Sequence, residues 1–315
     1  MFHSNYYEIT AGDNYEFGLR LGEIFKLPLQ TALSHEQAKI EWGSRVDEAQ
    51  PYLEPSRYYF PHYIKELEAY ARAAEVPLAE LWALNMEDEL TGGEHCTTVV
   101  TNNGELTAHN EDWEHDAADS LCVLKKTIGR LTVLELFYYK TLGGNAISVN
   151  SNGWVQAINT LHHKDRQVGV PRNVIARWLS ETANPEEDFR RLQKIPRSAG
   201  YSHTFINTAG KIFSLECTAK EQIFRPADSP FMHTNHYLSS LKDFEQAPQS
   251  ATTWDRYKIA CESVKPSMDI AETQKLAEAA MNSSTIGRMI IDLKNRAAHI
   301  WLKREPCYTL IYEFF

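Results

Sequence analysis

Apolar residues recur with the period of an α-helix through the first 90 residues. Phe17, Leu21 and Ile24 are spaced for one helical face. A second stripe consists of Tyr63, Ile64, Leu67, Tyr70, Ala71 and Ala74, and a third of Leu78, Leu81 and Trp82. Prolines at 28, 51, 55, 61 and 77 separate these segments, because proline interrupts helical hydrogen bonding. We therefore predict that residues 13–90 are mainly helical.

From Cys96 onward the pattern changes to short strands joined by turns. Asn103-Gly104 and Asn152-Gly153 are two-residue hairpin signals, because both positions of such a turn need positive φ. They join residues 96–102 to 105–109, and residues 147–150 to 154–158. Further strands are predicted at about 202–207, 211–217, 221–225, 230–235, 285–293, 296–303 and 308–315.

Four helices interrupt these strands. One starts near Pro171, and the next has Asn184 as its N-cap and Pro185 at its first helical position. Two more are predicted at about 251–263 and 270–281. Blocks of helices between blocks of antiparallel hairpins indicate an α+β layered fold rather than alternating βαβ units. We find no internal repeat and no linker, so residues 1–315 are predicted to form one domain.

The composition is that of a globular protein. The 315 residues are 43% hydrophobic and 23% charged, which excludes a disordered chain. A net charge of −10 argues against nucleic acid and anionic membranes as partners. No apolar run reaches the ~18 residues of a membrane span. Five widely spaced cysteines without a CxxC pair, and an N-terminus without a signal pattern, lead us to expect a reducing, cytoplasmic compartment.

Candidate chemistry centres on Cys96, which follows Gly92-Gly93 and opens a predicted strand. A turn at Asn103-Gly104 would place Cys96 opposite Glu111 and deliver residues 110–112 beside the sulfur. The pattern leaves open whether Glu111 or Asp112 points at it, since side chains alternate along a strand. A cysteine nucleophile needs a base. If the chain were cut before Cys96, the new α-amine, with a reference pKa of ~7.7–8.0, would serve.

Several motifs carry a resemblance to a known family. Cys96-Thr97-Thr98, Asn103-Gly104 and Asn110-Glu111-Asp112-Trp113 resemble the start of the mature β-chain in the acyl-coenzyme A:6-aminopenicillanate acyltransferase family. Further similar segments are residues 15–23, Leu84-Asn85 with residues 87–89, Ser151-Asn152-Gly153, Thr234-Asn235-His236, Met289–Leu293 and Pro306-Cys307. The members of this family are self-cleaving N-terminal-nucleophile hydrolases.

The resemblance implies a four-layer αββα sandwich with a helical N-terminal segment. It also implies cleavage between His95 and Cys96, leaving chains of residues 1–95 and 96–315 that stay associated. The matching positions are Cys96 as the nucleophile, Asp112 as the acid that supports the new amine, Asn235 as a group that helps hold the oxyanion, and Thr97 and Thr98 as small hydroxyl positions.

The activity that the resemblance implies is amide hydrolysis or acyl transfer through a thioester on Cys96. The substrate would be a small acyl-amine or acyl-thioester, and no cofactor or metal is expected. Glu111 would support the site. Arg256, early in a predicted helix, could pair with a substrate carboxylate or form a structural ion pair. A homo-oligomer is compatible with the acidic composition.

Three alternatives stay open at this point. His95 stands where the family usually carries glycine, which favours an unprocessed, non-catalytic binding protein. A metal-dependent hydrolase could instead use His109, Asp112 and His115 as ligands. A bile-salt-hydrolase-like enzyme is the third, although such enzymes normally expose their cysteine directly after the initiator methionine.

Overall fold

The computed structural model describes residues 5–91, 95–246, 252–303 and 305–314. Its helices are α1 (Asn14–Gln37), α2 (Trp42–Ala49), α3 (Leu53–Tyr59), α4 (Pro61–Ala74), α5 (Leu78–Asn85), α6 (Glu87–Thr91), α7 (Arg172–Leu179), α8 (Pro185–Leu192), α9 (Thr252–Ser263) and α10 (Ile270–Ala279). Its strands are β1 (Tyr6–Ala11), β2 (His95–Thr101), β3 (Leu106–Asp112), β4 (Leu121–Ile128), β5 (Leu131–Tyr138), β6 (Ile147–Asn150), β7 (Trp154–Thr160), β8 (Tyr201–Asn207), β9 (Ile212–Cys217), β10 (Gln222–Ala227), β11 (Phe231–His233), β12 (Thr285–Asp292), β13 (Ala297–Leu302) and β14 (Tyr308–Ile311).

The strands form two sheets. The larger has the order β1-β4-β5-β6-β7-β8-β9-β10, and the smaller has the order β11-β2-β3-β12-β13-β14. The β1–β4 pair is parallel. The remaining pairs of named strands in the described ranges are antiparallel. The smaller sheet therefore carries the hairpin that begins at Cys96.

Three apolar layers hold these elements together. Helices α1 and α4 pack through Phe17 and Tyr63 on the larger sheet, where they meet Phe137. A second cluster fills the space between the sheets and includes residues such as Val100, Leu134, Val155, Met289 and Ile300. On the outer face of the smaller sheet, Val99 and Ala108 meet α9 and α10. The order helices, sheet, sheet, helices confirms the αββα prediction.

The N-terminal segment is mainly helical, as predicted, but Pro28 lies within α1 and Pro55 within α3, so these two prolines do not separate helices. Two other differences are found. The chain first forms β1, a short strand that pairs with β4 before the helices begin. Ile24 is 42% exposed rather than buried, because the buried face of α1 continues from Leu21 to Phe25 at i+4 spacing. The predicted N-cap is confirmed, since the Asn184 side chain accepts hydrogen bonds from the first turn of α8.

The two predicted hairpins differ in their outcome. Cys96 pairs with Glu111, so the predicted register of β2 and β3 is confirmed, although a turn with positive φ at Asn102 and Asn103 joins them. In the second hairpin the strands lie close to the predicted bounds, but the predicted two-residue turn is wrong, since Val149 pairs with Val155. The reason is a three-residue loop that ends at Gly153 with a φ of 82°.

None of the helices in the described ranges is both long and apolar enough to span a bilayer. All five cysteines are free thiols. Cys96, Cys122 and Cys217 are buried, and Cys261 and Cys307 are exposed.

Candidate active site

Strand alternation divides the candidate site between the two faces of the smaller sheet. On β2, Thr98 and Val100 face the larger sheet, as their contacts with Asn159 and the inter-sheet cluster indicate. Thr97 contacts α9 on the opposite face through Arg256. Cys96 is in phase with Thr98, so its sulfur lies on the inter-sheet side.

The Cys96 sulfur lies in a row of buried polar side chains. Its Sγ is 3.4 Å from Glu111 Oε2, and the same oxygen is 2.9 Å from His109 Nε2. The Tyr138 hydroxyl, on β5 of the larger sheet, donates to Glu111 Oε1 over 2.9 Å. These four residues are at most 4% exposed. The glutamate is thus held at both oxygens, with one oxygen beside the thiol.

The His109 ring is fixed on its other side. His109 Nδ1 is 3.0 Å from Thr98 Oγ1, and the Thr98 hydroxyl donates to Asn159 Oδ1 over 2.9 Å. Asn159 belongs to β7, so the contact crosses from one sheet to the other. The sulfur, carboxylate, imidazole and hydroxyl therefore form one continuous hydrogen-bonded chain across β2, β3 and β7.

The backbone of Cys96 is held by a separate set of groups. Its N–H donates to Asn235 Oδ1 over 3.0 Å, and Asn235 Nδ2 donates to the Thr160 carbonyl over 3.1 Å. Arg256 Nη1 donates to the Cys96 carbonyl and to Thr97 Oγ1, both over 2.7 Å, while its Nη2 donates to Asn235 Oδ1 over 2.8 Å. Both peptide groups flanking the Cys96 Cα are therefore fixed by side chains.

Asp112 lies on the helical side of the sheet rather than beside the sulfur. Its Oδ2 is 3.6 Å from Arg256 Nη1, and its carboxylate accepts hydrogen bonds from Thr285 and Asn282. Burial raises the pKa of Asp112 to about 7, although the charge of Arg256 opposes the shift. Burial likewise lowers the pKa of Arg256, with Asp112 opposing. Arg256 links Asp112 to the backbone of Cys96.

The choice between Glu111 and Asp112 that the sequence left open is thereby made by the alternation of β3. Arg256 is 2% exposed and its guanidinium binds groups of this chain, so the structural ion pair is the better description of it. His95, which precedes Cys96, pairs with Asp112 across the hairpin. The side chains of His95 and His115, and residues 92–94, lie outside the described part of the chain.

Sequence reasoning missed Tyr138, Asn159, Asn282 and Thr285. Each approaches the site from a segment at least 27 residues from its partner in the chain. No local motif marks them, because their partners come from strands that meet only in the folded sheets.

Of the predicted metal ligands, His109 and Asp112 do not come together within the described part of the chain, and the His115 side chain lies outside it. Among the described residues, one group of three metal-binding side chains comes together, and it consists of Cys96, His109 and Glu111. Their donor atoms lie within 4.8 Å of one another and already bind each other. Asp112 is outside this group, because it points to the other face of β3.

A cavity lies beside this row of side chains. Its lining includes Leu84, Trp113, Tyr138, Lys140 and Asn173. A groove along α1 shares Ser120 and Lys140 with it. Tyr138 thus donates a hydrogen bond to Glu111 and also lines the cavity.

Comparison with known proteins identifies the family of the chain. Residues 99–304 match the family model described as acyl-coenzyme A:6-aminopenicillanic acid acyl-transferase, a range that begins three residues after Cys96. The 40 kDa form of acyl-coenzyme A:6-aminopenicillanic-acid-acyltransferase from Emericella nidulans is 25% identical over 251 residues, which is 75% of this chain and 69% of that protein. The beta-alanyl-dopamine/carcinine hydrolase of Drosophila melanogaster is 30% identical over 229 residues, 58% of this chain and 56% of that protein.

A solved structure agrees with the fold. Penicillin V acylase from Agrobacterium tumefaciens superposes with a TM-score of 0.52 at 14% identity, covering 69% of this chain and 86% of that chain. These relatives are acyltransferases and amide hydrolases. Because the family model covers well over half of the sequence, the chain belongs to the acyl-coenzyme A:6-aminopenicillanic acid acyl-transferase family.

Proposed function

We propose that this chain is a self-processing enzyme of the cysteine N-terminal-nucleophile type. It cleaves its own His95–Cys96 bond and then hydrolyses or transfers the acyl group of a small amide or thioester. The observation that carries the proposal is the hydrogen bond from the Cys96 nitrogen to Asn235 Oδ1, 3.0 Å long and buried. A side chain that binds this nitrogen is already placed to orient the α-amine that cleavage would release.

The mature site works as follows. The Cys96 α-amine takes the thiol proton, and Sγ attacks the substrate carbonyl carbon. The tetrahedral intermediate collapses when the leaving amine accepts a proton from the α-ammonium group, which leaves an acyl thioester on Sγ. Water or an acceptor amine then releases the acyl group and restores the thiol. Asn235 is the side chain that binds the amine, and its amide group is also the candidate donor to the oxyanion.

Arg256 and Asp112 have a positioning role in this proposal. Arg256 fixes the Cys96 carbonyl and Asn235 together, and Asp112 supplies the buried countercharge for Arg256. Burying a guanidinium without a partner would be costly, so Asp112 stabilises the arrangement that holds the nucleophile. This role differs from direct support of the amine, which the resemblance implied for Asp112.

The relatives and the cavity lining support a proposal for the substrate class. The relatives' names point to acyl-coenzyme A thioesters and to β-alanyl amides of small amines. The cavity beside Tyr138 combines apolar Leu84 and Trp113 with polar Asn173 and Lys140, so its lining offers contacts to both apolar and polar groups. We propose small acyl-amines and acyl-thioesters as substrates.

The deciding measurement is the intact mass of the purified protein under denaturing conditions. We expect two species, one of which begins at Cys96, and a single uncleaved species for Cys96→Ala. Turnover on a panel of acyl-amines and acyl-thioesters should be lost in Cys96→Ala and kept by the wild type. A wild-type chain that stays at 36.1 kDa, or turnover that survives in Cys96→Ala, would contradict the proposal.

A further inference from the structure

The uncleaved chain poses a chemical problem that the mature enzyme does not have. Before cleavage the Cys96 nitrogen is a peptide nitrogen whose N–H donates to Asn235. Its electron pair is delocalised into the His95 carbonyl, so it cannot accept the thiol proton. Attack by Sγ on the His95 carbonyl still requires that this proton be removed. A second proton acceptor must therefore act before the α-amine exists.

We propose that Glu111 is this acceptor and that His109 is its positioning residue. The inference rests on the proposed self-cleavage. Glu111 Oε2 lies 3.4 Å from the sulfur, and the Cys96 thiol donates to it. Asp112, the other carboxylate of the hairpin, is paired with Arg256 on the opposite face of the sheet and is directed away from the thiol.

The surroundings of Glu111 hold it in place for this role. His109 Nε2 contacts Oε2 at 2.9 Å, and the Tyr138 hydroxyl binds Oε1 at 2.9 Å. The His109 ring is itself fixed by Thr98, so the carboxylate has little freedom to turn away from the sulfur. A general base contributes most when it is within hydrogen-bond reach of the proton and kept there by its neighbours.

The reaction balances without a further reagent. Glu111 takes the proton from Sγ, and Sγ forms a bond to the His95 carbonyl carbon. The protonated Glu111 then returns that proton to the Cys96 nitrogen as the C–N bond breaks, which gives a thioester and a free α-amine. Water hydrolyses the thioester to the His95 carboxylate and the Cys96 thiol. From that point the α-amine replaces Glu111 as the base.

The chain contains a matched control for this pair. Glu216 is also buried, and its Oε1 is 2.9 Å from His233 Nε2, as in the Glu111–His109 contact. Its other hydrogen bonds come from the backbone of Leu238 and Ser239. Glu216→Gln therefore removes a buried glutamate next to a histidine without removing the carboxylate beside Cys96.

The test is the rate of self-cleavage, followed by intact mass after refolding, at several pH values. Glu111→Gln keeps the shape of the side chain and should slow cleavage by about 100-fold or more at neutral pH. Its cleavage rate should then rise about tenfold per pH unit up to the ordinary thiol pKa of ~8.5, because hydroxide must replace the base. The wild type should depend on pH much less steeply.

Two further variants separate chemistry from folding. His109→Gln should slow cleavage less than Glu111→Gln and keep the wild-type pH dependence, because Glu111 is still present. Glu216→Gln should keep both the rate and the pH dependence. Glu111→Gln chains that have finally been cleaved should retain most of the wild-type turnover, since the α-amine is then available.

The outcomes distinguish this inference from the proposed function. Wild-type cleavage together with an unchanged rate and pH dependence in Glu111→Gln would overturn the role of Glu111 alone. An equal loss in Glu216→Gln would also overturn it, because the effect would then be structural. A wild-type chain that is never cleaved would overturn both proposals.

Discussion

At the scale of single residues, the most informative feature is the separation of two adjacent acids. Glu111 and Asp112 follow one another in the chain, yet alternation sends one to the sulfur and the other to Arg256. The hairpin register could be calculated from the Asn103-Gly104 signal. The direction of each side chain could not, because it depends on which face of the sheet meets the larger sheet.

Asp112 should make stability depend on pH. Its pKa is raised by burial from 3.8 to about 7, so the folded state binds a proton more tightly than the unfolded state does. The contribution of Asp112 to the free energy of unfolding should therefore fall as pH rises from about 4 to about 7. We expect Asp112→Asn, in the uncleaved Cys96→Ala background, to flatten this part of the profile.

Urea unfolding at pH 5 and pH 8 measures this effect. The exposed Asp116→Asn is the control and should leave the difference between the two pH values unchanged. A profile that has the same slope with and without the Asp112 carboxyl would contradict the assignment.

Glu216 should change the pH dependence of stability in the opposite direction to Asp112. Burial opposes ionisation, but hydrogen bonds from His233 and Ser239 lower its pKa to about 2. Its stabilising contribution is thus present above pH 4.5 and is lost as pH falls toward 2. Glu216→Gln in the Cys96→Ala background should cost on the order of 3 kcal/mol at pH 7, and this cost should shrink at pH 3. Urea unfolding at both pH values checks this; a cost that does not change with pH would contradict it.

At the scale of elements, the contact between α1 and α4 depends on small residues. A Cβ added at Gly18 would lie 2.1 Å from the Glu66 carbonyl oxygen, and one at Gly22 would lie 2.4 Å from Ala73 Cβ. The glycines let the two helices approach until their backbones nearly touch. The spacing of Gly18 and Gly22 was visible in the sequence, but the partner helix was not.

Gly18→Ala should therefore destabilise the protein by about 1–3 kcal/mol, or more, because backbone atoms have to move apart. Gly43→Ala is the matched control, since a Cβ there meets nothing within 4 Å. In helix α2 that substitution should be neutral or slightly stabilising. Thermal unfolding of both variants in the Cys96→Ala background measures the difference, and equal melting temperatures would count against this account of the helix contact.

At the scale of the whole molecule, the proposed cut would leave a continuous core. The apolar cluster under the N-terminal helices joins Phe17 and Trp82, before the cut, to Phe137 and Trp178, after it. Strand β1 also pairs with β4 of the larger sheet. Burial on this scale outweighs the translational and rotational freedom that the two fragments would gain by separating, so both fragments should stay together.

The cleaved protein should accordingly elute as one species in size-exclusion chromatography, with both fragments present in that peak. Its elution volume should equal that of the uncleaved Cys96→Ala chain. The fragments should separate only in denaturant. Elution of residues 1–95 apart from residues 96–315 under native conditions would show that the shared core is not sufficient to hold them.

The sequence by itself determined the local features of this protein. Helical periodicity before residue 90, the Asn184 cap and the Cys96–Glu111 register follow from short-range rules, because each depends on residues that are close in the chain. The ordered motifs also indicated the αββα layers. Strand β1, which lies far from its partner β4 in the chain, was not foreseen.

Only the tertiary structure decided how the site is assembled. Asn235, Arg256 and Tyr138 reach the hairpin from distant elements, so no spacing in the sequence connects them to the Cys96 nitrogen, its carbonyl or Glu111. The tertiary structure also determines which face of the smaller sheet Glu111 and Asp112 each occupy. The reason is that the packing of one sheet on the other determines which side of β3 lies next to the sulfur. Residues close together in the chain determine the register of β2 and β3, whereas the packing of the layers determines which side chains contact Cys96.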